Sequence, residues 1–119
     1  MAKKILIIDD DVELCEEIAE ILRDEGHFVQ TVSDDSAGRD HINKNIYDII
    51  ILDYRMPKLN GVEILRLIKD KDLKGKIFIV SGRPFMDKLL KDENASGLVA
   101  AVINKPFDAK TLLEKINAP

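Results

Sequence analysis

Four short apolar runs constrain this chain more than any other feature: Ile5 to Ile8, Ile49 to Leu52, Ile77 to Val80 and Leu98 to Ile103. Each is too short for an ordinary helix, and none alternates apolar with polar residues. A strand of that kind must be covered on both faces, which is the condition of a parallel sheet with helices above and below it. Phe28 to Val32 is a fifth candidate, and Gln30 and Thr31 make it more polar. It suits an edge position.

Between the runs the apolar spacing changes to a period near 3.6. After Asp11, placed as a helix N-cap, Leu14, Ile18, Ile21 and Leu22 form one stripe, and Gly26 stands where a helix C-cap glycine would stand. Beyond Gly61 the stripe recurs at Ile64, Leu65 and Ile68, and after Asp108 at Leu112, Leu113 and Ile116. Ser36 to Asn43 and Pro84 to Glu93 are weaker helices, assigned from their place between strands; Pro84 is tolerated in a first helical turn. Strand then helix, five times over, predicts an α/β fold: a right-handed, doubly wound parallel sheet with helices on both faces, in one domain over residues 1–119.

With 119 residues, of which 45% are hydrophobic, the chain can bury a core without a disulfide. Its single cysteine, Cys15, cannot form a disulfide within the chain, which fits a reducing compartment, and no Cys/His cluster offers a zinc site. Eighteen basic against twenty-two acidic residues give a net charge of −4 with no basic stripe, so neither nucleic acid nor an anionic membrane is an expected partner. Only four apolar residues follow Lys3-Lys4 before Asp9, too few for a signal-peptide core, and no run is long enough to span a bilayer. A cytoplasmic protein is expected.

In open sheets of this kind, sites form where loops leave the carboxyl ends of the strands. The residues there are Asp9, Asp10 and Asp11 after the first run, Asp53 after the third, Ser81 after the fourth and Lys105 after the fifth. Two carboxylates about 4 Å apart repel by roughly 4 kcal/mol at an effective dielectric near 20, so such a cluster needs positive charge. Lys105 supplies one unit, and a hard divalent cation with oxygen ligands could supply the rest; Mg²⁺ suits a few carboxylates together with a phosphate. With an incoming phosphoryl group so neutralised, one carboxylate can act as nucleophile and form an aspartyl phosphate. Asp53 is the best candidate, because Asp9 and Asp10 are adjacent and better placed to hold a metal. Ser81 and Lys105 can pair with phosphoryl oxygens, where counter-charge and positioning supply most of the catalysis.

These residues resemble the receiver domains of bacterial two-component response regulators. The likeness lies in Asp9-Asp10 at the end of Ile-Leu-Ile-Ile-Asp-Asp, Asp53 in Ile-Leu-Asp-Tyr-Arg-Met-Pro with Asn60-Gly61 following, Ser81 in Val-Ser-Gly and Lys105 in Lys-Pro-Phe, and it covers the whole chain. It implies a flavodoxin-like three-layer (βα)5 sandwich of strand order 2-1-3-4-5. It also implies Mg²⁺ held by Asp10, Asp53 and the main-chain carbonyl of Arg55, with Asp9 acting through water, and a cis Lys105-Pro106 bond. Phosphate on Asp53 would come from a sensor histidine kinase, a phosphotransfer protein or a small phosphodonor, and would switch affinity for a downstream protein. Beyond its own phosphorylation and dephosphorylation no enzyme activity is expected, and since the sequence ends after the fifth helical stripe, neither is an output domain.

Several residues have plainer roles. Asp11 is a helix cap rather than a ligand, Met56-Pro57 and Asn60-Gly61 are turn chemistry that presents Asp53, and Phe107 is a core anchor. Cys15 packs a helix, and His27 and His41 have no partner implied by sequence. The chain also departs from the family. Val102 stands three residues before Lys105, where most receivers carry an aromatic residue whose rotamer reports phosphorylation. Twenty-four positions separate Ser81 from Lys105, which points to an altered fourth helix or following loop, where Arg83, Pro84 and Phe85 could form a partner surface. Arg55 and Arg83, each two residues beyond a site residue, are placed to alter the lifetime of the phosphorylated state. Two other functions compete: a receiver fold used as a phosphorylation-independent binding module, and an aspartyl-phosphate phosphatase. A nucleotide-binding module lacks its Gly-rich turn after the first strand.

Overall fold

A computed structural model describes residues 2–53, 67, 76–81, 99–104 and 108–117 of the chain. The strands are β1 (Lys4–Ile8), β2 (Phe28–Val32), β3 (Ile49–Asp53), β4 (Lys76–Ser81) and β5 (Ala101–Asn104); the described helices are α1 (Val12–Asp24), α2 (Asp35–Lys44) and α3 (Ala109–Asn117). All four strand pairings are parallel, in the order β2-β1-β3-β4-β5. The expected doubly wound sheet and its strand order are therefore found, and β2 is an edge.

The apolar runs are buried on both faces because alternate residues feed different layers. Ile5, Ile7, Ile49, Ile51, Phe78 and Val80 pack against Ile18, Ala19 and Leu22 of α1 and Leu112 and Ile116 of α3. Leu6, Ile8, Ile50, Leu52, Ile77 and Ile79 face the other way, onto Ile42 of α2, Tyr47 and Leu67. Fully burying one such side chain is favourable by about 1.5–3 kcal/mol, so the sheet's two-sided coverage is the main source of stability. Leu67 is helical, in keeping with the stripe expected beyond Gly61. The stripe residues Ile64, Leu65 and Ile68, the helix of residues 84–93, Pro106 and Phe107 lie outside the described residues.

Local signals fix the helix ends. Asp11 accepts a hydrogen bond from the Leu14 amide at 3.1 Å, the N-cap role expected of it. At the other end of α1 the Gly26 amide donates to the Arg23 carbonyl (2.9 Å) and the His27 amide to the Leu22 carbonyl (3.1 Å). This double closure needs a left-handed residue, and Gly26 has φ +91°. Asp34 caps α2 through the Ala37 amide at 2.7 Å, and Asp108 caps α3 through the Thr111 amide at 2.7 Å. Gly38 lets α2 approach the sheet: a Cβ there would lie 3.1 Å from Cδ1 of the buried Ile8.

One expectation needs correction. The fifth strand begins at Ala101, not Leu98. The Ala100 amide makes the first bond to β4, to the Ile77 carbonyl at 2.7 Å, while Val99 before it packs against the core, so the apolarity of Val99 serves burial rather than the ladder. Both histidines have partners. His27 is buried and its Nδ1 accepts the Lys3 amide at 3.0 Å, while His41 Nδ1 lies 3.0 Å from the Tyr47 hydroxyl. These contacts join residues 24 and 6 positions apart, which no local spacing announces.

Asp108 carries a pH dependence. Its backbone hydrogen bond with Thr111, then a side-chain bond to the same residue, hold its carboxyl below the usual carboxylate value. A carboxyl depressed in the folded state contributes stability that is present above its unfolded pKa and lost as pH falls through the folded one. The urea midpoint of the parent should thus fall more steeply from about pH 5 to about pH 3 than that of Asp108→Asn, which has no proton to gain. Parallel titrations would refute this role.

Candidate functional site

The sheet register decides which distant residues meet. Ile8 pairs with Leu52, Leu52 with Ile79 and Asp53 with Val80, while Ser81 pairs with Asn104. Asp9 follows Ile8 by one residue, which sets it level with Asp53 on the neighbouring strand; Ser81 lies one step beyond Val80. Asp9, Asp10, Asp53 and Ser81 therefore share the carboxyl edge of the sheet across β1, β3 and β4, as their positions after the apolar runs required. Lys105 and Arg55 lie outside the described residues.

Asp9 and Asp10 are adjacent but differ in environment. The Asp9 side chain is buried (3% exposed), whereas Asp10 is exposed. Burying a carboxylate is costly unless it is hydrogen-bonded. Asp9 Oδ1 accepts the Asp11 amide at 2.9 Å. Its own amide extends the β1–β2 ladder to the Val32 carbonyl at 3.1 Å, and its carbonyl accepts the Cys15 thiol at 3.3 Å. The turn after β1 is thereby tied to β2 on one side and to α1 on the other.

Sequence reasoning missed the thiol contact, although it placed Cys15 correctly as a packing residue. Helical spacing from Ile18 and Leu22 sets Cys15 on the packed face of α1, but does not show that it sits over the Asp9 carbonyl, just past the end of β1. Beside it a cavity of about 130 Å³ opens between the first turns of α1 and the end of β2, lined by Asp9, Cys15, Glu16 and Thr31 among others. It lies on the β2 flank of β1, whereas Asp53 lies on the β3 flank.

The donors gathered here are oxygens, which suits a hard cation such as Mg²⁺ rather than zinc. Among the described residues no three His, Cys, Asp or Glu side chains converge to hold a metal. The acid pair can thus hold a cation only together with further oxygen donors, and Asp53 and the Arg55 carbonyl are the candidates that the resemblance to receiver domains implies.

Asp11 stands apart from this set because its carboxylate is engaged at the N-terminus of α1. Asp11→Ala should lower unfolding free energy by about 1 kcal/mol, the usual loss for a removed cap, as measured by urea denaturation. An unchanged midpoint would mean that the cap is idle.

Comparison with known proteins gives a consistent likeness. The family model of the response regulator receiver domain matches residues 5–117. Among curated proteins, the chain is 30% identical over 80 residues to the transcriptional regulatory protein DltR of Streptococcus agalactiae, covering 67% of this chain and 36% of that protein. It is 39% identical over 66 residues to a CpxR homologue of Haemophilus influenzae, covering 56% and 29%. The chain thus spans about a third of the length of these relatives. Solved structures match over nearly the whole chain. A CheY-like receiver domain protein from Methanospirillum hungatei has TM-score 0.85 at 29% identity, covering 98% of this chain and 91% of that one. A receiver domain protein from Clostridium thermocellum has 0.81 at 32%, covering 98% and 92%. The response regulator TrrA of Thermotoga maritima, solved in complex with Mg²⁺ and BeF, has 0.80 at 26%, covering 96% of each.

Proposed function

The chain belongs to the response regulator receiver domains of two-component signalling systems, and from that premise we propose that Asp53 accepts a phosphoryl group in a Mg²⁺-dependent reaction. The observation that carries the proposal is the register that sets Asp53 level with Asp9 and one strand away from Ser81. A carboxylate oxygen of Asp53 attacks the donor phosphorus, and the bond from phosphorus to the leaving group breaks as the acyl phosphate forms. Bound Mg²⁺ would neutralise charge on the phosphoryl oxygens. Asp10, Asp53 and the Arg55 carbonyl would hold it. Asp9, fixed by the Asp11 amide and buried, would act through a hydrating water. Ser81 would donate to one phosphoryl oxygen and Lys105 would pair with another.

The donor would be a sensor histidine kinase or a phosphotransfer protein, and the product a domain of 1–119 with changed affinity for a downstream protein. Such exchange belongs in the cytoplasm. Among the described residues no helix is long and apolar enough to cross a membrane. A phosphorylation-independent binding module is the second reading, favoured by Val102. This β-branched residue packs against the layer that holds Leu6 and Ile79 and has no ring to swing.

Incubation with Mg²⁺ and a small phosphodonor separates the two. We expect the mass gain of one phosphoryl group in the parent and none in Asp53→Asn; no gain in the folded parent would favour the binding module. Mg²⁺ alone should raise stability by about 2.7 kcal/mol at a hundredfold excess over its dissociation constant, and Asp10→Asn should lose most of this gain.

A further inference from the structure

The edge strand β2 reads Phe-Val-Gln-Thr-Val and contains neither a charged residue nor a proline. Such an edge lacks the usual defences against pairing with another chain. Its outward groups can be identified. The Phe28 amide bonds to the Lys3 carbonyl and the Val32 carbonyl accepts the Asp9 amide, so Phe28, Gln30 and Val32 turn their main-chain groups toward β1. Val29 and Thr31, the alternate residues, turn theirs outward.

These outward groups are self-complementary. In an antiparallel pairing centred on Gln30, Val29 of one copy would face Thr31 of the other, and both would exchange amide-to-carbonyl bonds. A two-fold axis relates the halves, so the association would close as a dimer rather than grow into a fibre. Phe28, 69% exposed, would lie beside the seam.

Among the described residues, two side chains of α1 stand in the way. Arg23, in the last turn of α1, reaches over the edge and donates from Nη2 to the Val29 carbonyl at 3.0 Å. Glu16 lies 3.9 Å from Arg23 Nη1, and its other oxygen accepts the Thr31 hydroxyl at 3.4 Å. The ion pair is exposed and contributes little by itself, but together the two side chains cover the edge where the strand has no charge of its own. We propose that Arg23 is a guard on the β2 edge, and that without it this strand pairs with the β2 of a second copy.

Sedimentation velocity of Arg23→Ala beside the parent, over a range of concentrations, tests this. We expect the variant to form a dimer with a dissociation constant about tenfold or more below the parent's. Two second changes should abolish the gain: Gln30→Lys, which charges the seam, and Thr31→Pro, which removes an outward amide and leaves the ladder to β1 intact. Should Arg23→Ala fail to fold by circular dichroism, Arg23→Met keeps the aliphatic stem and removes the same donors. A folded variant that sediments as the parent does, or one whose association survives Gln30→Lys, overturns the proposal.

Discussion

The parallel pairing of β3 between β1 and β4 is the constraint on which the rest of the molecule depends. It is held by residues with almost no other purpose: Ile49, Ile50, Ile51 and Leu52 are each at most 2% exposed, and successive side chains feed opposite layers. A slip of one residue would exchange every contact between the two faces, so register is specified strongly by packing. The same register brings acidic residues 44 positions apart in the sequence, Asp9 and Asp53, to neighbouring strand ends. Two carboxylates that meet about 4 Å apart repel by roughly 4 kcal/mol at an effective dielectric near 20, a sizeable share of the roughly 5–15 kcal/mol that stabilises a domain. Hydrophobic burial thus enforces a charge arrangement that the charged groups alone would avoid.

The turn after β1 limits that cost by separating the acid pair. Asp9 is withdrawn from solvent and receives an amide from Asp11, while its main chain is fixed to Val32 and Cys15. Asp10 stays in water, where hydration stabilises its charge. One residue can therefore be rigid and the next accessible, a division that adjacency in sequence does not suggest. Asp11 completes it by serving twice, its amide to Asp9 and its carboxylate to Leu14.

What was legible in the sequence follows from the range of the interactions involved. The apolar runs gave the strands, because a doubly covered strand has a composition of its own. The cap at Asp11 and the glycine at Gly26 were visible because they act over a few residues, and the cap at Asp108, equally local, was passed over. Asp9, Asp10, Asp53 and Ser81 could be placed on one edge because strand ends in a parallel sheet share a side. The partners of His27 and His41 were not visible, since each depends on where another segment passes. The start of β5 was misplaced for a related reason: Val99 is apolar because it packs, and packing does not imply pairing.

The two ends of α1 serve different parts of the sheet. Its N-terminus supports the acidic turn through Asp11 and Cys15, and its last turn carries Arg23 to the outer edge of β2. A single thirteen-residue helix thus spans from the charged edge to the exposed strand. Its buried stripe of Cys15, Ile18, Ala19 and Leu22 fixes its rotation against the sheet. That rotation determines where Glu16 and Arg23 emerge, since residues at other helical angles have no independent choice of direction. Packing against one face of the sheet therefore sets both the support beneath the acid pair and the cover along the edge.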